Sequence, residues 1–224
     1  MERKHMTGVI LAGGEGKRLG RDKTEIVLAR EESVIENIIS KLSTSFEELL
    51  MVTSQKKYTH YAHRFAHLKV KIHTDIFDAR GAIAGVHSGL YHASHHYSFF
   101  VGCDMPFLNL SLIDYFKQIA DGNDVVVAQC EAGYEPLHAV YAKSCIPYLT
   151  KLIHNNNLRI YDFYPDVRTR IVEDDEVLRY DPEKLSFFNI NTRQALHEAH
   201  KIHKSLVKRE NYVIGVKPTL FTQE

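Results

Sequence analysis

The amino-acid sequence predicts an α/β fold, a mostly parallel sheet flanked by helices with a small antiparallel excursion. Three observations lead there. Short β-branched or aromatic runs alternate with longer stretches of helical periodicity. A glycine-rich stretch, TGVILAGGEGKRLGRDK, follows directly from the first apolar run, where doubly wound sheets place a ligand loop. No internal repeat or linker divides the 224 residues, so residues 1–224 read as a single domain, with about 207–224 as a C-terminal tail.

Taken in order, strands are expected at 8–12 (GVILA), 49–53 (LLMVT), 69–73 (KVKIH), 98–102 (SFFVG), 124–128 (DVVVA) and 137–141 (LHAVY). Helical periodicity falls between them at 34–42, 83–93, 112–119 and 146–153, with Ser33 and Ser111 expected as N-caps. The last two strands, joined by the turn-like EAGYEP, read as the antiparallel excursion. Residues 155–186 carry only a weak, aromatic and acidic pattern, and a final helix is expected over 194–206. The closing NYVIGVKPTLFTQE either packs as a strand or stays loose.

Composition narrows the function. Lys plus Arg and Asp plus Glu are equal at 28 each, so no global basic excess draws nucleic acid or anionic lipid, and a small phosphorylated ligand met by a local cluster fits better. MERKH leads straight into the first strand without a signal-peptide core, and no run approaches the length of a membrane span. The expected location is the cytoplasm, with no membrane and no nucleic-acid partner. Cys103, Cys130 and Cys145 form no CxxC pair and read as small buried hydrophobes.

The opening loop is a phosphate cradle in its residue types. Gly13, Gly14, Gly16 and Gly20 let main-chain N–H groups approach an anion, and Arg18, Arg21 and Lys23 supply charge. It is not a Walker loop, since Gly16 and Lys17 are followed by Arg18, and a dinucleotide fingerprint begun at Gly14 would need glycine where Leu19 stands. The remaining pattern, LAGGxxxRLGxDK, resembles the signature of nucleotidyltransferases that activate sugars, alditols and cofactors; its plainer reading is a surface turn. In FFVGCDMPFL, Asp104 follows a strand that Pro106 is expected to end, so its carboxylate would project over the same sheet edge. It suits Mg²⁺, which takes one or two carboxylates with phosphate oxygens and water; a helix cap or an arginine partner are its other readings. FFNINT sets Asn189 and Asn191 on one side of an extended segment, or makes them turn residues before a helix capped by Thr192.

Together these segments, with TDIFDARGAIAGVHSGL at 74–90 and EPLHAVY at 135–141, resemble the molybdenum cofactor guanylyltransferases over most of the chain. The resemblance implies a three-layer, Rossmann-like nucleotidyltransferase fold. It implies transfer of GMP from GTP to molybdopterin with release of pyrophosphate, and Mg²⁺ as cofactor. By the same resemblance Leu11, Ala12, Gly13 and Gly14 line the nucleotide site and Lys23 contacts phosphate. Asp75 and the segment from Gly81 to Gly85 hold the nucleoside. Asp104 binds the metal, Asn191 shares it, and Asn189 faces the acceptor. Arg18, Lys23 and Asp104 form the catalytic set. Thr53 stands where the family commonly has asparagine, keeping a hydroxyl and losing the amide, and Ala82 replaces a usual proline. Enzymes that load molybdenum, apo-molybdoenzymes and their chaperones are the implied transient partners.

Other readings stay open. A related enzyme would use CTP on molybdopterin or a nucleotide on a sugar phosphate, and a silent nucleotide-binding module would keep the loop without turnover. Among 14 histidines, His60, His63 and His67, and again His197, His200 and His203, sit at spacings that share a helical face, so a metal-delivery role competes with solvated surface. Tyr161, Phe163 and Tyr164 either stack on a pterin or cover core.

Overall fold

The computed structural model describes residues 5–14, 25–29, 32–77, 81–131 and 133–213. Its main sheet holds β1 (Met6–Leu11), β4 (Glu48–Thr53), β5 (Lys71–Thr74), β6 (Tyr97–Gly102), β7 (Val125–Cys130), β8 (Gly133–Ala142) and β9 (Thr169–Val172) in the order β5-β4-β1-β6-β8-β7-β9. A separate two-stranded ribbon pairs β2 (Val27–Ala29) with β3 (Glu32–Ser33). All six expected strands are present, with ends displaced by up to a few residues. β1 and β4 are buried along nearly their whole length, as near-continuous apolar runs are when helices cover both faces of a parallel sheet.

The expected hairpin exists, but it is no appendage. β8 pairs antiparallel with both β6 and β7, while β7 pairs parallel with β9. β8 is thus a reversed strand inserted in the body of the sheet. It begins at Gly133, whose φ of +118° lies where L side chains rarely go. Its register with β7 shifts between Val127 and Gln129, so residues 135–138 bulge.

Helices α1 (Val34–Ser43), α2 (Gln55–Arg64), α3 (Ala82–His92), α4 (Leu110–Gln118), α5 (Ile146–His154), α6 (Asp174–Tyr180) and α7 (Arg193–Val213) cover the sheet. Ser33 caps α1 as expected, its N–H and Oγ both donating to Glu36 at 2.8 and 2.6 Å. At α4 the expectation fails: Asn109 is the cap, its Oδ1 accepting from Ser111 and Leu112 N–H at 2.9 and 3.2 Å. Ser111 already lies in the first turn. Pro106 does not end β6 either, because the strand stops at Gly102 and Met105 N–H turns back to the Gly102 carbonyl at 3.3 Å. α7 continues through Val213, beyond its expected end, and residues 214–224 lie outside the described set.

Two apolar layers hold the sheet. One gathers Ile35, Ile38, Leu42, Phe99 and Phe116, the other Val9, Phe100, Tyr141 and Phe163. α3 lies close to the sheet because Gly89 has no side chain; a Cβ there would come within 2.6 Å of Phe100 and 2.8 Å of Val9. Cys103 and Cys145 are buried and Cys130 partly so, none of the three in a disulfide.

Candidate active site

The carboxyl ends of β1, β4, β5 and β6 form one edge, and backbone hydrogen bonds extend it beyond the strands. Ala12 N–H donates to Val52 at 2.8 Å, Cys103 N–H to Leu11 at 3.1 Å and Asp75 N–H to Thr53 at 3.0 Å. Thr53 adds a hydroxyl bond to the Ala12 carbonyl at 3.2 Å. Thr53 is therefore a brace beneath the loop entry, and its buried hydroxyl is already committed there. Gly13 and Gly14 follow at the rim. A Cβ on Gly13 would stand 3.4 Å from Asp75 Oδ2, whereas one on Gly14 would meet nothing within 4 Å. Lys57 of α2 donates to the Gly14 carbonyl at 2.8 Å.

Asp75 leaves β5 toward the same rim. Burial alone raises its carboxyl to about 6, and Oδ1 is buried without a hydrogen-bond partner among the described residues. α3 begins beside it at Gly81, with φ of +92°. Ser88 of α3 accepts from Ile76 N–H at 2.8 Å, tying helix to strand end. Gly85 lets the first turn press on Leu11, where a Cβ would be only 3.0 Å from Cδ2. Leu11, Ala12, Gly13, Thr53, Asp75 and Gly85 are brought together, with Gly81 at the start of the helix that closes over them.

Asp104 sits in the turn after β6, only 8% exposed. Its Oδ1 lies 2.6 Å from where a Cβ on Gly102 would be, so that glycine makes room for the carboxylate. The Asp104 carbonyl accepts from Ile190 N–H at 2.9 Å, and this bond draws the FFNINT segment to the edge. Ile190 is fully buried, and Asn191 N–H bonds the Asn189 carbonyl at 3.2 Å, so the two asparagines flank a tight turn and not one side of an extended segment. The Asn189 amide donates to Phe187 O at 2.8 Å. Asp104 and Asn191 offer hard oxygen atoms, which suits Mg²⁺. Among the described residues no trio of His, Cys, Asp or Glu is placed to hold a metal.

Arg18 and Lys23, with Gly16, Gly20 and Arg21, lie outside the described residues. The first histidine trio does not share a helix, because α2 ends at Arg64, before His67. In the second, His200 Nδ1 bonds the Leu196 carbonyl of its own helix at 2.8 Å. Phe163 and Tyr164 are core, 2% and 4% exposed, while Tyr161 is 42% exposed. Two residues at this edge escaped sequence reasoning. Lys57 follows a capping serine and carries no motif; Glu135 stood inside EPLHAVY as an unassigned letter.

A glycine turn and an aspartate on adjoining strand ends, within this strand order, define a nucleotidyltransferase. Comparison with known proteins narrows the class: the profile described as MobA-like NTP transferase domain matches residues 8–167, and the chain belongs to that family. It is 31% identical over 201 residues to the molybdenum cofactor guanylyltransferase of Desulfosudis oleivorans, covering 89% of this chain and 96% of that one. The probable molybdenum cofactor guanylyltransferase of Natranaerobius thermophilus is 32% identical over 200 residues, covering 88% and 96%. Among solved structures, molybdopterin-guanine dinucleotide biosynthesis protein A from Archaeoglobus fulgidus superposes with a TM-score of 0.78 at 27% identity, covering 89% of this chain and all of that one.

Proposed function

We propose that the protein transfers GMP from GTP to molybdopterin, releasing pyrophosphate and forming the molybdopterin guanine dinucleotide. The observation that carries this reading is the junction of Leu11 to Gly14 with Asp104 at one edge, held by the Cys103 to Leu11 and Ile190 to Asp104 backbone bonds. The names of the relatives support guanine and molybdopterin as substrates.

Leu11, Ala12 and Gly13 receive the nucleoside, with Asp75 and the start of α3 beside it. Asp75 Oδ1, buried and without a partner among the described residues, suits N–H or O–H donors of the nucleoside. Gly14 opens its backbone to the phosphates, and Lys57 fixes the turn through the Gly14 carbonyl. Arg18 takes the β and γ phosphates and Lys23 the α phosphate, where negative charge builds in the transition state. Asp104 and Asn191 hold Mg²⁺, which when bound neutralises the nucleotide phosphates. Asn189 faces the acceptor. No general base is needed, because a phosphate monoester has a second pKa near 6 and arrives largely deprotonated at neutral pH.

The reaction is assigned to the cytoplasm, with the product passed through brief contacts to molybdenum-handling proteins or apo-molybdoenzymes. Among the described residues no helix is long and apolar enough to cross a membrane. The test is incubation with molybdenum-loaded molybdopterin, Mg²⁺ and either GTP or CTP, followed by detection of the dinucleotide. Guanine product from GTP is expected; cytosine product, or none, would overturn the assignment.

A further inference from the structure

One more carboxyl group stands at this edge with no structural task. Glu135 lies near the start of β8, and because β8 is reversed, that start coincides with the carboxyl ends of the parallel strands. The β6 to β8 ladder ends with Val101 opposite His138, so residues 133–137 of β8 run on past that end of the ladder, toward the side where the turn after β6 holds Asp104. Glu135 also falls within the bulge against β7, a device that re-aims side chains beside functional sites. The segment leading to Asn189 packs against the same strand, with Phe187 edge-on to the His138 ring at 5.1 Å.

Glu135 is half-buried, and its carboxylate has no hydrogen bond or ion pair among the described residues. Burial lifts it to about 7. Its carboxylate acts electrostatically on Cys130 of β7. Asp174 on α6 and Lys184 lie beside Cys130 and pair with each other. A dehydrated, unpaired carboxylate costs stability, and nothing among the described residues offsets that cost.

The acceptor side explains it. A carboxylate repels the acceptor's phosphate, so it must meet another part of that molecule, and its acceptor-only oxygens call for N–H donors. We infer that Glu135 is a specificity-determining residue that accepts hydrogen bonds from the ring N–H groups of the acceptor's pterin. This rests on the guanylyltransferase reading above.

Steady-state kinetics with GTP, Mg²⁺ and molybdenum-loaded molybdopterin, run on wild type, Glu135→Gln and Glu135→Asp, provide the test. Glu135→Gln should raise KM for molybdopterin about tenfold, the scale of losing a charged acceptor. KM for GTP and kcat should be preserved and the melting temperature should not fall, since the substitution removes a buried charge, and Glu135→Asp should recover part of the loss. An unchanged molybdopterin KM, or a loss confined to GTP, overturns the inference. Calorimetric titration of molybdopterin without GTP separates the two claims. If the wild type makes no dinucleotide, the guanylyltransferase reading falls, while weaker molybdopterin binding by Glu135→Gln still supports the contact and equal binding removes it.

Discussion

Asp75 holds a carboxyl group raised by burial from an ordinary 3.8 to about 6. The unfolded chain therefore loses this proton more readily than the folded one, and Asp75 costs stability increasingly as pH rises through that window. At neutral pH the cost is about 2 kcal/mol, allowing for partial exposure. Asp75→Asn should raise the unfolding free energy of the ligand-free protein by about that amount at pH 8 and leave it unchanged near pH 4, while weakening GTP binding. Urea titrations at the two pH values and a GTP titration check both halves. Asp104 is expected to behave differently: Asp104→Ala should keep the fold and reduce GTP-dependent turnover roughly 100- to 1,000-fold, the scale of removing one preorganised electrostatic group. Asp104 was legible because an acid directly after an apolar strand and before Pro106 is a local pattern. Lys57 was not, since its contact with Gly14 spans 43 positions.

The helix starts separate what periodicity reveals from what it hides. Ser33 and its Glu36 partner are three residues apart, so the α1 cap could be read locally. Asn109 could not be chosen over Ser111 by spacing alone, because its role depends also on Tyr180, whose carbonyl accepts from the Asn109 amide at 2.8 Å. Asn109→Ala should destabilise the protein by about 1–2 kcal/mol and Ser111→Ala by a few tenths at most, as measured by urea denaturation. β9 and α6 arose from the stretch with no clear pattern for a related reason. In β9 only Val172 is buried, and in α6 only Val177, so neither displays the apolar period that marks an element. α2 shows only Tyr61 to the core and was visible only as histidine spacing. The strands of the sheet interior were plain because burial on both faces demands continuous apolar runs.

Stability toward acid belongs to the whole molecule, since its groups join distant segments. Burial opposes the charge on Glu48, but hydrogen bonds from Thr7, Ser94 and Lys71 together outweigh it and hold the carboxyl at about 2. They join β1, β4, β5 and the turn before β6, with partners 41, 46 and 23 positions away. His138, fully buried among Phe99, Phe116 and Phe187, is lowered by burial to about 4 and stays neutral. Both groups release protons more easily when folded, so stability falls with acid. His138 acts as pH drops from 6.5 to about 4, and Glu48 from 4.5 to about 2. Glu48→Gln should cost about 3 kcal/mol at pH 7 and flatten the lower limb of the stability curve, followed by urea unfolding from pH 3 to 7.

The reversal of β8 is likewise a whole-sheet property. The hairpin was visible in EAGYEP, but its insertion between β6 and β7 depends on pairings across the fold, and that insertion sets the start of β8, with Glu135, at the carboxyl ends of the parallel strands. The central claim is that the loop after β1 and Asp104 after β6 serve one nucleoside triphosphate. A crystal soaked with GTP and Mn²⁺, examined by anomalous scattering, tests it most directly. A metal peak is expected about 2.1 Å from an Asp104 carboxylate oxygen, with the nucleotide phosphates against Gly13 and Gly14. A peak remote from Asp104, or a nucleotide bound away from those glycines, would contradict that claim.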